Sequence, residues 1–301
     1  MNIAVIDCNA LGYMAHYSTS QMNRSDGTPV GIIWGFFNQL KTIVEQTECA
    51  HLVFAWDSHK SERKKLYPQY KEGRAAKREE DPTIFDSFFQ FDELYEIILP
   101  RLGFVNNFKF SGFEGDDVMA QVCEQYSAEH KITLATNDQD LYQCLGQRVR
   151  MYKPTKGQIY THEDLMLEHN CTPKQWSLVK AIAGCNGDGV KGIERVGEKT
   201  AIKYLNDTSG KAWPKINNNE SKAIIARNWD LVHLPFDGTP TIDLQWPKMD
   251  YQIWKEFCME YEFDKFLGHA TFWRALFDYE PPPGFYPAPT KKPYPGRGKY
   301  R

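Results

Sequence analysis

Short apolar runs rich in β-branched residues recur along the first half of the chain: NIAVIDCNA, HLVFAWDS and KITLATNDQD. Each predicts a buried strand, and GFVNNF reads as a weaker fourth. Between them, over 31–45, 83–102 and 114–128, apolar residues fall at helical spacing. Strands alternating with helices predict an α/β fold with a parallel central sheet flanked by helices. From Thr161 onward the strand signal fades, and TPKQWSLVKAIAG, VGEKTAIKYL, NESKAIIARNWDLV and YQIWKEFCMEY read as helices. The expected organisation is an α/β core over 1–160, a helical subdomain over 161–280 and a Pro-rich basic tail over 281–301. That tail is either flexible or an extended strap packed by Phe285, Tyr286 and Tyr294.

Acidic residues cluster at one predicted edge of this sheet. Asp7 closes the first strand, Asp57 the second, and Asp138 and Asp140 follow ITLAT, all at carboxyl ends, where open α/β sheets bind ligands. GFEGDDVMA adds Glu114, Asp116 and Asp117 at the start of a helix. Two carboxylates about 4 Å apart repel by roughly 4 kcal/mol at an effective dielectric near 20, whereas a helix N-terminus returns only about 0.3–1 kcal/mol per acid. Three converging acids must therefore either splay into water or meet further positive charge. With Asp188, the set supplies the oxygen ligands that suit Mg²⁺ or Mn²⁺. Two such ions about 4 Å apart can activate water and stabilise both oxygens of a phosphodiester under attack. Any single strand-end Asp serves equally as a turn former or helix cap, so the coincidence of several carries this reading.

Composition narrows the classes. The chain has 301 residues, 42% hydrophobic and 25% charged, which is ordinary for a folded soluble protein. No apolar run approaches a membrane span and no secretory leader opens the sequence, so a cytoplasmic protein without membrane contact is expected. Seven scattered cysteines without CxxC spacing read as reduced thiols. The net charge of -3 conceals a cationic segment from His59 to Arg78, with eight Lys or Arg against two Glu. GDGVKG matches GxGxxG but follows a helix pattern, so it lacks a dinucleotide-binding context; GxxxxGK[ST] and GxSxG do not occur.

Five blocks in order, VIDCNAL, FAWDSHKSERKKLYPQYKEGR, GFEGDDVMA, TNDQDLYQCL and GCNGDGVKGIERVGEKTAIKYL, resemble the structure-specific 5′-nucleases. That family includes flap endonucleases, bacteriophage 5′-to-3′ exonucleases and the 5′-nuclease domain of bacterial DNA polymerase I. The likeness covers most of residues 1 to about 270. It implies a PIN-like sheet, a helical arch over about 58–85 and a helix-three-turn-helix element. By the family pattern Asp7, Asp57, Glu114 and Asp116 look like ligands of an inner metal ion. Asp138, Asp140 and Asp188 look like ligands of an outer one, with Asp117 acting through water. Lys71 and Arg74 match the arch cations that neutralise the scissile phosphate. Tyr70 would stack on an unpaired base or pack the arch helix, and Arg63 would join a diffuse attraction to phosphates. The hairpin resemblance places Gly192, Arg195, Gly197, Lys199 and Thr200 against duplex phosphates, with K⁺ held by backbone carbonyls. A plain glycine turn between helices is the alternative there.

Two departures stand out. Cys185 occupies a position where the family has an aspartate, and a thiol is a poor Mg²⁺ ligand. Arg195 stands where the hairpin often has glycine. The resemblance implies a monomeric enzyme that cleaves DNA phosphodiesters near 5′ ends at flaps, nicks or duplex ends, with RNA–DNA hybrids as further substrates. It fits a bacteriophage replication nuclease or a stand-alone bacterial enzyme. The rivals are a DNA-binding module on the same scaffold that has lost catalysis, and a small-molecule phosphatase.

Overall fold

The computed structural model describes residues 1–73, 89–207 and 213–279. Its centre is a six-stranded sheet in the order β3-β2-β1-β4-β5-β6. The strands are Asn2–Asp7 (β1), His51–Ala55 (β2), Asn107–Phe108 (β3), Lys131–Ala135 (β4), Val149–Lys153 (β5) and Gln158–Tyr160 (β6). Neighbours run parallel except β5 and β6. The expected mostly parallel sheet is therefore present. Asp7 closes β1, Asp57 follows β2, and Asp138 and Asp140 follow β4, as expected.

The first strands read as continuous apolar runs because both sheet faces are covered. Ile3 and Val5 of β1 enter one core with Val53, Ala55, Ile132 and Leu134, while Ala4 and Ile6 enter the other with Leu52 and Phe54. Their register aligns Val5 with Val53 on one side and Leu134 on the other. Helices Cys8–Thr19 (α1) and Gly31–Thr47 (α2) link β1 to β2. No side chain of its own neighbourhood caps α2; buried Gln90 accepts from Ile32 N and Ile33 N instead. Glu62–Leu66 (α3) follows β2, and Gly115–Tyr126 (α4) leads into β4. The chain thus builds outward from β1 to β3 and returns past β1 to β4. That reversal opens a crevice at the carboxyl ends of β1 and β4.

Beyond β6 come His162–His169 (α5), Pro173–Ala183 (α6), Glu198–Asn206 (α7), Asn219–Val232 (α8), Tyr251–Glu260 (α9) and Ala270–Phe277 (α10). A two-stranded hairpin, Gly184–Cys185 (β7) with Val190–Lys191 (β8), joins α6 to the turn before α7.

The segment expected as one helical subdomain over 161–280 instead divides between the two sheet faces. Trp176, Val179 and Ile182 of α6, with Ala201 and Ile202 of α7, pack on the α4 side. Trp254 and Phe257 of α9, with Trp273 and Phe277 of α10, pack on the α2 side. Trp254 and Trp273 lie 4.1 Å apart between ring centroids, and Phe37 of α2 meets Trp254 at 5.1 Å. These rings are removed from water only by crossing to α2. The arch expectation over 58–85 is described only to residue 73, so Arg74 lies outside the described residues, as does the tail over 281–301. Among the described residues, no helix is long and apolar enough to cross a membrane.

Trp254→Ala is expected to lower unfolding stability by about 3–5 kcal/mol, measured by urea denaturation. A loss below about 1 kcal/mol would show that α9 and α10 stand outside the main cooperative core.

Candidate active site

Hydrogen bonds that join neighbouring elements fix the acids at the crevice. Asp7 caps α1, accepting from Ala10 N at 3.0 Å, and also from the Thr136 hydroxyl beyond β4 at 2.8 Å. Asp57 accepts from Gly115 N at 2.8 Å, tying the end of β2 to the start of α4, while its own N–H donates to Asn9 in α1 at 2.9 Å. Asp138 accepts from Asp140 N at 2.7 Å and begins the short helix Gln139–Cys144.

Charge is concentrated here. Withdrawal from water, then Asp57, pushes the Asp7 carboxyl up to about 7. Withdrawal from water, followed by Asp138, Asp7 and Asp57, holds Asp116 well above the usual carboxylate range. The side chain of Asp138 opens to solvent, but the protein crowded around it, and then Asp140, also raise it. Four acids from four separate elements therefore destabilise one another's charged forms.

Glu114 shows the opposite behaviour. Burial would raise its carboxyl, yet Lys71 and Arg63 outweigh burial and hold it below the usual range. Lys71 Nζ donates to Glu114 Oε1 at 2.8 Å and the Tyr70 hydroxyl donates to Oε2 at 3.0 Å. The same hydroxyl lies 3.4 Å from Asp188 Oδ2, and Lys71 N donates to the Asp188 carbonyl at 2.8 Å. Lys71 adopts φ +54°, an uncommon conformation for a residue with a side chain.

This geometry corrects two expectations, for Arg63 and Asp117, and decides between the two readings of Tyr70. Arg63 is not a solvated phosphate-attracting cation, because it is 2% exposed. Its guanidinium grips Asp117 with two bonds of 2.7 Å, and its Nε donates to the Leu231 carbonyl at 2.9 Å. Asp117 is fully buried and also accepts from Glu114 N and Phe236 N, both at 2.9 Å. Its oxygens are committed to these donors, so it is the counter-ion of Arg63 rather than a group that reaches a metal through water. Tyr70 is 3% exposed and packs with Ala181, Val190, Leu231 and Val232, so its ring is unavailable to stack on a base.

The outer side of the crevice holds a group that the sequence reading missed. Lys180 Nζ lies 3.1 Å from Asp140 Oδ1 and 2.9 Å from Glu198 Oε1. Burial opposes its charge, but Asp140 and Glu198 more than offset this and raise it. A lysine between Val179 and Ala181 in an apolar run was the available signal. Cys185 Sγ is 3.9 Å from Asp140 Oδ2, and burial followed by Asp140 pushes its thiol up. Asp138, Asp140, Lys180, Cys185, Asp188 and Glu198 help to line a cavity of about 400 Å³.

The hairpin candidates separate by exposure. Gly192 lies against α6: a Cβ there would stand 2.1 Å from the Ala183 carbonyl carbon, so glycine is needed for packing. Arg195 takes the left-handed conformation itself, with φ +58°, in the turn closed by Val196 N and the Ile193 carbonyl. Its side chain is exposed beside Glu194. Gly197 and Lys199 are exposed and Thr200 is half-buried at the first turn of α7.

Asp7, Asp57 and Asp116, whose carboxylates disfavour one another's charge, supply the hard oxygen donors that suit a divalent cation, with Glu114 beside them but already paired with Lys71. Among the described residues, no three acids, thiols or imidazoles form a ready-made ligand cluster. The inner acids surround a crevice rather than a single point.

A mostly parallel sheet with acids at its switch point and helices on both faces defines a PIN-like nuclease fold. The model of the 5′-3′ exonuclease N-terminal resolvase-like domain matches residues 2–170, and the chain belongs to this 5′-to-3′ exonuclease family. The 5′-3′ exonuclease of Bacillus subtilis is 31% identical over 68% of this chain and 70% of its own length. The thermostable DNA polymerase I of Thermus thermophilus is 28% identical over 72% of this chain, which spans only 24% of that protein. A structure of the bacteriophage T5 5′-exonuclease with zinc ions bound superposes with a TM-score of 0.64 at 21% identity, covering 90% of this chain and 98% of that one. Flap endonuclease-1 from Methanococcus jannaschii gives 0.55 at 13% identity, covering 92% of each. At these identities the two structures establish the fold.

Arg63→Ala leaves Asp117 buried without its counter-charge and is expected to cost about 3–5 kcal/mol in chemical denaturation. Arg63→Lys, which lacks the planar fork, should recover only part of that loss.

Proposed function

We propose that this protein is a Mg²⁺-dependent 5′-to-3′ exonuclease and flap endonuclease acting on DNA, with Mn²⁺ as a substitute. The observation that carries this reading is the set Asp7, Asp57, Asp116 and Asp138 at the switch-point crevice, three of them with carboxyls raised by withdrawal from water and by one another. Membership of the exonuclease family supports it. Asp7, Asp57, Asp116 and Glu114 would hold the cation. Bound there, a divalent ion supplies activation of water and charge stabilisation on the phosphate.

The chain's own residues do the rest. Lys71, already 2.8 Å from Glu114 and fixed through its N–H to the Asp188 carbonyl, presents an ammonium beside the acids. It neutralises charge that develops on the scissile phosphate, and Arg74 joins it. Tyr70 positions Glu114 and Asp188 by its hydroxyl. The start of α7 offers first-turn backbone N–H groups, the Lys199 ammonium and the Thr200 hydroxyl to a duplex phosphate, with Gly197 at the turn, where its carbonyl accepts from the Thr200 N–H. The substrates are duplex ends, nicks and 5′ flaps, RNA primers on DNA included.

The test is cleavage of 5′-labelled flap, nicked and blunt duplexes, read by product length. Chelation with EDTA should abolish cleavage and added Mg²⁺ should restore it. Asp57→Asn and Asp116→Asn should each reduce the rate by more than about 100-fold, beyond the 10–100-fold typical of residues that only support a metal ligand. DNA affinity in Ca²⁺ should largely persist. Binding by the unaltered protein without cleavage, across Mg²⁺ and Mn²⁺ concentrations, would instead identify a DNA-binding module.

A further inference from the structure

Arg63, Lys71 and Lys180 each face a carboxylate. Arg227 in α8 is held differently. Its Nε and Nη2 both donate to Asn228 Oδ1, at 3.0 and 2.8 Å, and Nη2 also donates to the Lys191 carbonyl in β8 at 2.8 Å. Its guanidinium carbon lies 5.0 Å from the centroid of the Tyr67 ring, just after α3. All of these partners are neutral, and among the described residues no carboxylate pairs with Arg227. Asn228 is fully buried and its amide nitrogen donates to the Ala181 and Lys191 carbonyls, so the oxygen that receives Arg227 is itself fixed. These bonds use Nε and both donors of Nη2, which leaves the two N–H groups of Nη1 uncommitted among the described residues, on a residue exposed to solvent. Ordering a long exposed side chain costs rotamer freedom, and here no ion pair accounts for it.

We propose that Arg227 is a phosphate-binding residue that grips the DNA backbone between the foot of the cationic segment and the hairpin. For its ligand the proposal rests on the nuclease reading above. Tyr67 belongs to the cationic segment and Lys191 to the hairpin, so one guanidinium touches both elements that would meet DNA. The neutral partners fix its direction without cancelling its charge, and the remaining N–H pair has the planar geometry that suits phosphate oxygens. Leu231 follows Arg227 by four residues, about one turn of α8, and lines the inner crevice with Glu114 and Asp116. A phosphate held by Arg227 therefore lies about one helical turn from the wall of the acidic crevice. Arg63 shows the contrast: the same side chain, buried and spent on Asp117, has nothing left for a ligand.

The experiment measures binding of a fluorescent 5′-flap duplex to the full chain by anisotropy, in Ca²⁺, at salt concentrations from about 50 to 200 mM. Arg227→Gln should weaken binding about tenfold and lower the slope of log affinity against log salt by about 0.9, the signature of one lost phosphate contact. Arg227→Lys keeps the charge and should keep the slope, while losing part of the affinity with the fork. Arg227→Met, which leaves an apolar stem over Tyr67, carries the same expectation as Arg227→Gln if the glutamine variant does not fold by circular dichroism. A folded Gln or Met variant with unchanged affinity and slope would overturn the proposal and leave the nuclease reading intact. Weakened binding with an unchanged slope would also overturn it, because it would make Arg227 a strut between the two elements. A lowered slope in a protein that binds DNA but never cleaves it in Mg²⁺ would support the contact and overturn the nuclease reading. Failure of the unaltered protein to bind DNA would overturn both.

Discussion

Excess negative charge gathered at one edge is the constraint around which this structure is organised. A parallel sheet brings the ends of β1, β2 and β4 to the same side, and each carries an aspartate in the residues that close or follow it. The acids cannot relax apart, because the bonds that hold them are the bonds that join the walls. Asp7 to Thr136 links β1 to the turn after β4, and Asp57 to Gly115 links β2 to α4. Moving either carboxylate outward would break an inter-element contact and leave a donor unsatisfied. The repulsion is stored in the fold and available to a cation.

The protein disposes of part of this charge itself, selectively. Arg63 takes Asp117 completely, at the point where α3, α4 and the end of α8 meet. Replacing one member of such a pair is costly because the other remains as an uncompensated buried charge. Lys71 takes Glu114 at the rim, where its side chain keeps 18% of its exposure and stays near water. The cationic segment is therefore not uniform. Arg63 points inward, while the adjacent Lys64 and Lys65 point to solvent. A run of like charges yields a structural counter-ion, a cation of the site and a solvated face within nine residues.

That division marks what could be read from the chain. The strands and their terminal acids were legible because burial on both faces writes a continuous apolar run, and the acid falls at its end. The direction of a cation was not, since a charge run states sign and not side. Arg63, Tyr67 and Tyr70, spaced four and three apart, do share a helical interval, which was a faint sign that Arg63 faces inward with the tyrosines. β5 escaped notice because VRMYK mixes two cations into its alternation, although Val149, Met151 and Tyr152 are buried. The crossing of α9 and α10 was hidden for another reason. Trp254 and Trp273 need Phe37, more than two hundred residues away from either, and local spacing carries no record of a distant partner.

Three residues join the cationic segment, the hairpin and the acids into one unit. Tyr70 spans Glu114 and Asp188, Lys71 N holds the Asp188 carbonyl, and Lys180 spans Asp140 and Glu198. Each ties an acid, or the turn that carries it, to an element that would meet DNA. The hairpin is itself pinned: Asn228, fully buried in α8, donates to the Ala181 carbonyl in α6 and to the Lys191 carbonyl in β8. On the proposed function, a duplex phosphate held at the start of α7 is thus separated from Asp140 by one glutamate and one lysine. Alignment of a 5′ end with the acids then follows from side-chain bonds of about 3 Å, and misplacement of the duplex would be felt directly at the carboxylates that must receive its scissile phosphate.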